Sequence, residues 1–246
     1  MRFESAEVSL LGDREENQDR AAIQSNGGRV FLVLADGMGG HSGGAVAAEV
    51  AVSSLCGSFA NLEPGEDWGD FLRRALEAAH DSVVLLGNKE GLSSRPRATC
   101  AICIAGEGRA MWAHVGDSRV YLARGGAVVA RTRDHTPIES MLQDGLISEE
   151  EIAGHPMRHY VEYCLGGIAE RPLFTISGLV ELAPGDLLLL CSDGLWSGIS
   201  DADLGAGPDP DMELAAWLVH MASRAVRLAT PHSDNTSALA LRVLAD

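Results

Sequence analysis

Two apolar runs in this chain end the same way. Val30-Phe31-Leu32-Val33-Leu34-Ala35 leads into Asp36-Gly37-Met38-Gly39-Gly40, and Leu187-Leu188-Leu189-Leu190-Cys191 leads into Ser192-Asp193-Gly194. A short, wholly apolar run reads as a strand buried on both faces. A carboxylate at the end of such a strand lies against the core, where an unpaired charge is costly. Two such carboxylates repel each other if they converge, and a divalent cation relieves both the repulsion and the desolvation. The pair predicts a metal site held between two strands.

The 246 residues can bury a sizeable core, and no Ser/Gly/Pro linker or internal repeat divides them, so one domain over 1–246 is expected. No apolar run reaches the length of a membrane span. The segment from Met1 to Glu7 carries two glutamates and no signal-peptide stretch, so a cytoplasmic location is expected. Five scattered cysteines make a poor disulfide framework. Cys100 and Cys103 have redox-motif spacing, but in a strand that spacing puts them on opposite faces. The net charge of −16 argues against nucleic acid and anionic membranes, and favours a soluble monomer. It also repels phosphorylated substrates at long range, so a phosphate site here needs local positive charge.

Strands are expected at Glu4–Leu11, Arg29–Ala35, Phe174–Glu181, Asp186–Cys191 and Thr236–Val243. Ala98–Ala105, Ala110–Val115, Val120–Arg124 and Ala127–Ala130 read as an antiparallel meander, with Asp117 in one of its hairpin turns. Gly39, Gly40, Gly43 and Gly44 read as a loop. Helices are expected at Ala45–Leu55, with Val46, Val50 and Leu55 near one side, and at Glu66–Leu86. Others are expected at Pro137–Gln143, at Ser148–Ala153 with a Ser148/Glu151 capping box, and at Asp211–Leu228, with Ala216, Val219, Met221 and Val226 on its apolar side. Hairpin-linked strands with helices set apart favour an α+β layered fold.

Asp19, Asp36, Asp117, Asp193 and Asp234 all stand at strand ends or tight turns. Each alone is a common turn former; together they make an oxygen-only donor set suited to Mg²⁺ or Mn²⁺ and not to zinc. Gly37 has no side chain to keep a metal from its carbonyl. Arg14 can grip two phosphate oxygens in one plane; its local rivals as partners are Glu15 and Glu16. His41, His114, His135, His155 and His159 read as structural or solvated. No Ser-His-Asp set, P-loop or dinucleotide fingerprint is present.

In order along the chain, Arg14-Glu15-Glu16-Asn17-Gln18-Asp19, Asp36-Gly37-Met38-Gly39-Gly40, Gly116-Asp117-Ser118-Arg119, Asp134-His135-Thr136, Ser192-Asp193-Gly194 and Asp234-Asn235 resemble the metal-dependent serine/threonine phosphatases of the protein phosphatase 2C family, over nearly the whole chain. The resemblance implies a four-layer αββα sandwich, two antiparallel sheets flanked by helix pairs. It implies that Asp36 bridges two Mn²⁺ or Mg²⁺ ions and Gly37 offers its carbonyl to one. Asp193 and Asp234 complete the other ion's shell, Asp19 holds metal-bound water, and Asp117 with Asp193 serves a third ion. Arg14 binds the substrate phosphate. Residues 137–171 resemble the flap beside the active site, with Gly145, His155-Pro156 and Arg158 of bacterial type. Two departures stand out. Met38 replaces the histidine proposed as general acid in animal members, leaving a metal-bound water for that role, and Arg97-Ala98-Thr99 loosely fills a Gly-Thr-Thr strand start.

The implied activity is hydrolysis of phosphoserine and phosphothreonine on proteins by metal-activated water, opposing a bacterial serine/threonine kinase. A pseudophosphatase that binds phosphoproteins without turnover is the alternative, and the intact acidic set opposes it. A link to secretion machinery is analogy alone.

Overall fold

Three apolar cores are stacked through the molecule, and three cores separate four layers. The structure, a computed structural model, describes residues 1–38, 42–89, 95–152, 155–158, 160–168, 170–209 and 212–245. In chain order the elements are β1 (Arg2–Leu10), β2 (Asp19–Asn26), β3 (Arg29–Met38), α1 (Ser42–Ala60), α2 (Trp68–Lys89), β4 (Arg97–Gly106), β5 (Arg109–Val115), β6 (Arg119–Arg124), β7 (Ala127–Arg131), α3 (Pro137–Gln143), α4 (Glu149–Ile152), β8 (Leu165–Gly166), β9 (Thr175–Ile176), β10 (Val180–Glu181), β11 (Leu187–Cys191), α5 (Asp193–Trp196), α6 (Asp201–Ala206), α7 (Leu214–Ala229) and β12 (Thr236–Leu244). One antiparallel sheet runs β1-β12-β11-β6-β7. The other runs β10-β5-β4-β3-β2, with β8 beside β4 and β9 beside β5.

Alternation along each central strand feeds two cores at once. On β3, Phe31, Val33 and Ala35 face α1 and α2, while Leu32 and Leu34 face the other sheet. On β11, Leu187, Leu189 and Cys191 face the helices α5 to α7, while Leu188 and Leu190 face inward. That is why both runs read as continuously apolar. The fold is the α+β, four-layer αββα sandwich that the family resemblance implies. Cys100 and Cys103 fall in different cores, and all five cysteines are free.

Several elements differ from the sequence expectation. The four-strand meander does not exist, because β5 and β6 belong to different sheets. Asp117 therefore lies in a crossover between sheets and not in a hairpin turn. Gly116 makes the crossing at φ +95°, where a side chain would collide with Thr99. The run Phe174–Glu181 breaks into β9 and β10, and the chain crosses sheets again before β11. Strand β2 escaped notice because it is largely half-exposed and short of apolar residues; its ladder with β3 forms it. Gly43 and Gly44 belong to helix α1 and not to a loop; Gly39, Gly40 and His41 lie outside the described residues.

Helix α1 is long and apolar enough to cross a membrane by length and composition alone. Its small residues Ala47, Ala48 and Ala51, with Leu55 and Phe59, are buried in the core, while Val46 is exposed. On α7 the buried side is Leu214, Trp217, Leu218, Ala222 and Ala225; Ala216 and Val219 are exposed, contrary to the expected face. The short helices α5 and α6 carried no recognised signal.

Phe31 is fully buried, stacked on Phe59 at 4.9 Å between centroids and edge-on to Phe71 at 5.6 Å. Phe31→Ala is expected to cost about 3–5 kcal/mol in chemical denaturation, through lost burial and a cavity. A loss below about 1 kcal/mol would mean that this layer is not packed as described.

Candidate active site

Sheet register brings the acids to one end of the sandwich. Asp19 opens β2 and is the register partner of Asp36 on β3. Asp36 continues the Leu32-Leu34 alternation, so its side chain faces the space between the sheets. Asp193 opens α5 directly after β11, and Asp234 stands two residues before β12, which pairs with β11. The crossover brings Asp117 to the same end. Close approaches fix these segments: a side chain on Gly37 would collide with the Gly44 carbonyl, and one on Gly194 with the Asn235 carbonyl.

The carboxyls feel one another. Burial first, then the fields of Asp19, Asp193, Asp117 and Asp234, holds Asp36 well above the ordinary carboxylate range. Burial and then Asp117, Asp234 and Asp19 do the same to Asp193. Asp19 is pushed up to about 6, chiefly by burial. Asp117 is pushed up to about 7, by burial and then by Asp134. Both Asp36 and Asp193 are half-buried, and Asp19 and Asp117 are buried. Asp19 Oδ2 accepts from Ser192 Oγ at 2.8 Å, while its buried Oδ1 has no hydrogen-bond partner among the described residues.

Arg14 stands at the rim and pairs with Asp234 at 2.6 Å, not with Glu15 or Glu16. Asp234 Oδ1 also accepts from the Asn235 amide at 2.7 Å. Asn235 ties the loops together: its Oδ1 accepts from the Gln18 amide and its Nδ2 donates to the Leu11 carbonyl, both at 2.8 Å. Trp196 Nε1 donates to the Asp117 carbonyl at 2.9 Å. The Arg119 guanidinium lies 3.6 Å over the Trp196 ring and grips Asp134 through two bonds of 2.8 and 2.7 Å.

His114 and His135 stack at 4.5 Å. Gly116 N donates to His135 Nδ1 at 3.2 Å, His135 Nε2 bonds Thr175 Oγ1 at 2.8 Å, and His114 Nε2 bonds the Arg133 carbonyl at 2.7 Å. Burial lowers both imidazoles, His135 to about 4. They brace the crossover as neutral rings. His159 lies outside the described residues.

The donor set fits a hard divalent cation: oxygen ligands, one of them without a partner, in a field that resists their ionisation. Among the described residues no three His, Cys, Asp or Glu side chains already close on one point. Asp234 is turned to Arg14, so gripping an ion through Oδ2 asks that contact to yield, while among the described residues Asp19 keeps Oδ1 free beside its bond to Ser192. Sequence reasoning quoted Ser192 and Asn235 inside motifs without giving them a task, and it missed Trp196 altogether. Only three-dimensional adjacency reveals that these side chains hold the acidic loops.

A family profile described as protein phosphatase 2C matches residues 9–227. The chain belongs to the protein phosphatase 2C family. It is 33% identical over 217 residues to the protein phosphatase PhpP of Streptococcus pneumoniae, covering 85% of this chain and 87% of that one. It is 34% identical over 206 residues to the serine/threonine protein phosphatase PstP of Mycobacterium tuberculosis, covering 80% of this chain but only 38% of PstP. The Streptococcus agalactiae serine/threonine phosphatase structure superposes with a TM-score of 0.89 at 26% identity, covering 98% of this chain and all of that one. A solved PstP catalytic domain, at a TM-score of 0.82 and 30% identity over 99% of both chains, is in complex with two manganese ions.

The raised pKa values set a pH dependence. Asp19 at about 6 and Asp117 at about 7 exceed an unfolded value of about 3.9. The folded, metal-free protein therefore holds more protons than the unfolded chain, and this cluster's contribution to stability falls as pH rises from about 4 through about 7. The metal-free melting temperature is expected to drop between about pH 5.5 and 7.5, with Asp117→Asn flattening the drop. Added Mn²⁺ should raise it more at the higher pH. A metal-free protein that gains stability across that window would contradict the electrostatic reading.

Proposed function

We propose that this chain is a metal-dependent protein serine/threonine phosphatase acting on phosphoserine and phosphothreonine. The observation that carries the reading is the gathering of five aspartates from five separate stretches of chain at one end of the sandwich, with Arg14 at their rim, in a fold shared with named phosphatases. Asp36 would bridge two Mn²⁺ or Mg²⁺ ions with the Gly37 carbonyl beside it; Asp193 and Asp234 would complete the ligands. Asp19 would hold ordered water, and Asp117 with Asp193 would serve a third ion. When bound, the ions would neutralise phosphate charge and acidify water enough for it to attack near neutral pH.

The chain's own residues supply the rest. Arg14, freed from Asp234, would present its planar guanidinium to the non-bridging phosphate oxygens and hold phosphorus for in-line attack. Among the described residues the buried cysteines offer no nucleophile for a covalent phosphoenzyme. Burial pushes the thiols of Cys100, Cys103 and Cys191 far up, so they stay protonated. Met38 has no proton to give and both ring nitrogens of His135 are engaged; we assign protonation of the leaving oxygen to solvent. We assign the activity to one domain spanning 1–246, with 137–171 as a flap, working as a cytoplasmic monomer on phosphoproteins modified by a serine/threonine kinase.

Asp36→Ala and Asp193→Ala are each expected to abolish Mn²⁺-dependent hydrolysis of p-nitrophenyl phosphate and to lose ions in a titration. Full activity in either variant would remove the site. Arg14→Ala should keep its metal and lose about 10²–10³ in kcat/KM; an unchanged value would show that the phosphate is held elsewhere.

A further inference from the structure

Arg97 carries a charge that the structure leaves available at the cleft. Most of the other arginines are neutralised by carboxylates, among them Arg20, Arg29, Arg124, Arg171 and Arg242. Arg97 is exposed and makes no ion pair among the described residues. In a chain of net charge −16, an unneutralised guanidinium beside an acidic centre is worth explaining.

Its place is set by register. Asp36 is opposite Thr99, and Met38 is opposite Arg97. Ala101 and Cys103 on β4 face the space between the sheets, so by alternation Thr99 and Arg97 lie on that same face. Thr99 confirms it, its Oγ1 meeting Ser118 Oγ of the crossover at 2.7 Å. Arg97 thus stands one strand across, about 5 Å, and two residues along, about 7 Å, from Asp36. On the edge of β4 opposite β3, β8 pairs Gly166 with Arg97, and the Arg97 side chain runs past Gly167, whose missing Cβ would lie 3.1 Å from Arg97 Cδ. The charge is felt by the Cys164 thiol. Beyond Cδ the guanidinium is exposed and without an ion pair among the described residues, and a side chain of this length can swing to the mouth of the cleft.

We propose that Arg97 forms an anion subsite at that mouth, binding a carboxylate or a second phosphate carried about two residues from the phosphoserine or phosphothreonine of the substrate. An extended peptide advances about 3.3–3.6 Å per residue, which matches the two-residue offset from Asp36. The subsite deepens the phosphatase reading and rests on it. It also answers a problem of charge. A chain this acidic repels anionic peptides at long range, and Arg97 with Arg14 gives such peptides two points of attraction at close range.

The test uses synthetic phosphothreonine peptides carrying Asp, phosphoserine, Ala or Lys two positions before or after the phosphothreonine. With Mn²⁺, the wild-type chain should prefer an anionic neighbour on one side over Ala by about three- to tenfold in kcat/KM. Whichever of Asp and phosphoserine gains more identifies the natural group. Arg97→Ala should bring that ratio near one, and Arg97→Glu should turn the preference to Lys. The wild-type preference should also collapse as salt rises from about 0.05 to 0.5 M, a readout that needs no variant to fold. A wild-type chain that hydrolyses p-nitrophenyl phosphate but shows no anionic preference, or a preference unchanged in both variants, overturns the subsite alone. Absence of p-nitrophenyl phosphate turnover would instead fail the phosphatase reading beneath it.

Discussion

Mutual repulsion among buried carboxylates is the constraint on which this structure turns. Asp36 feels four other aspartates, and burial raises its pKa further. The contact with a protein cation comes at the edge, where Arg14 meets Asp234. Exposed pairs of that kind contribute little, so they do not offset the crowding. The cluster is held together by the rest of the molecule, against its own electrostatics, and it is best satisfied by a charge that comes from outside.

Holding it requires close backbone approaches that larger residues would prevent. Gly37 lies on Gly44, Gly194 on Asn235 and Gly116 on Thr99. The first ties β3 to α1, the second joins α5 to the loop before β12, and the third lets the chain pass between sheets beside Asp117. Around these sit Ser192, Asn235 and Trp196, which bond to the acids or to their backbone. Beyond Trp196, the Arg119–Asp134 pair and the His114–His135 stack connect the crossover to the segment that leads into α3. Rigid support of this kind is what a site needs if its ligands would otherwise splay apart.

Much of this was legible in the sequence, for physical reasons. The runs of β3 and β11 announced two-sided burial, and on α2 the positions Trp68, Phe71, Leu72, Ala75, Leu76, Ala79 and Val83 are all buried as their spacing implied. The five aspartates were visible because motif order survives folding. What failed was partnership. Nothing local tells β5 and β6 apart from a hairpin, since Gly116-Asp117-Ser118 would serve either path. Strand β2 is made by its neighbour. On α1 the alanines are fully buried, because helix and sheet approach closely there, while Val50 and Val52 only flank the core and Val46 is exposed. On α7 a mixed surface hid the buried side set by Trp217 and Leu218.

The most direct measurement is calorimetric titration of Mn²⁺ into the metal-free chain near pH 6, repeated in buffers of different ionisation enthalpy to count the protons released. The account predicts saturable binding with net proton release that diminishes toward about pH 8, because Asp19 and Asp117 carry protons that the ions displace. Binding without proton release near pH 6, or no binding at all, would contradict it.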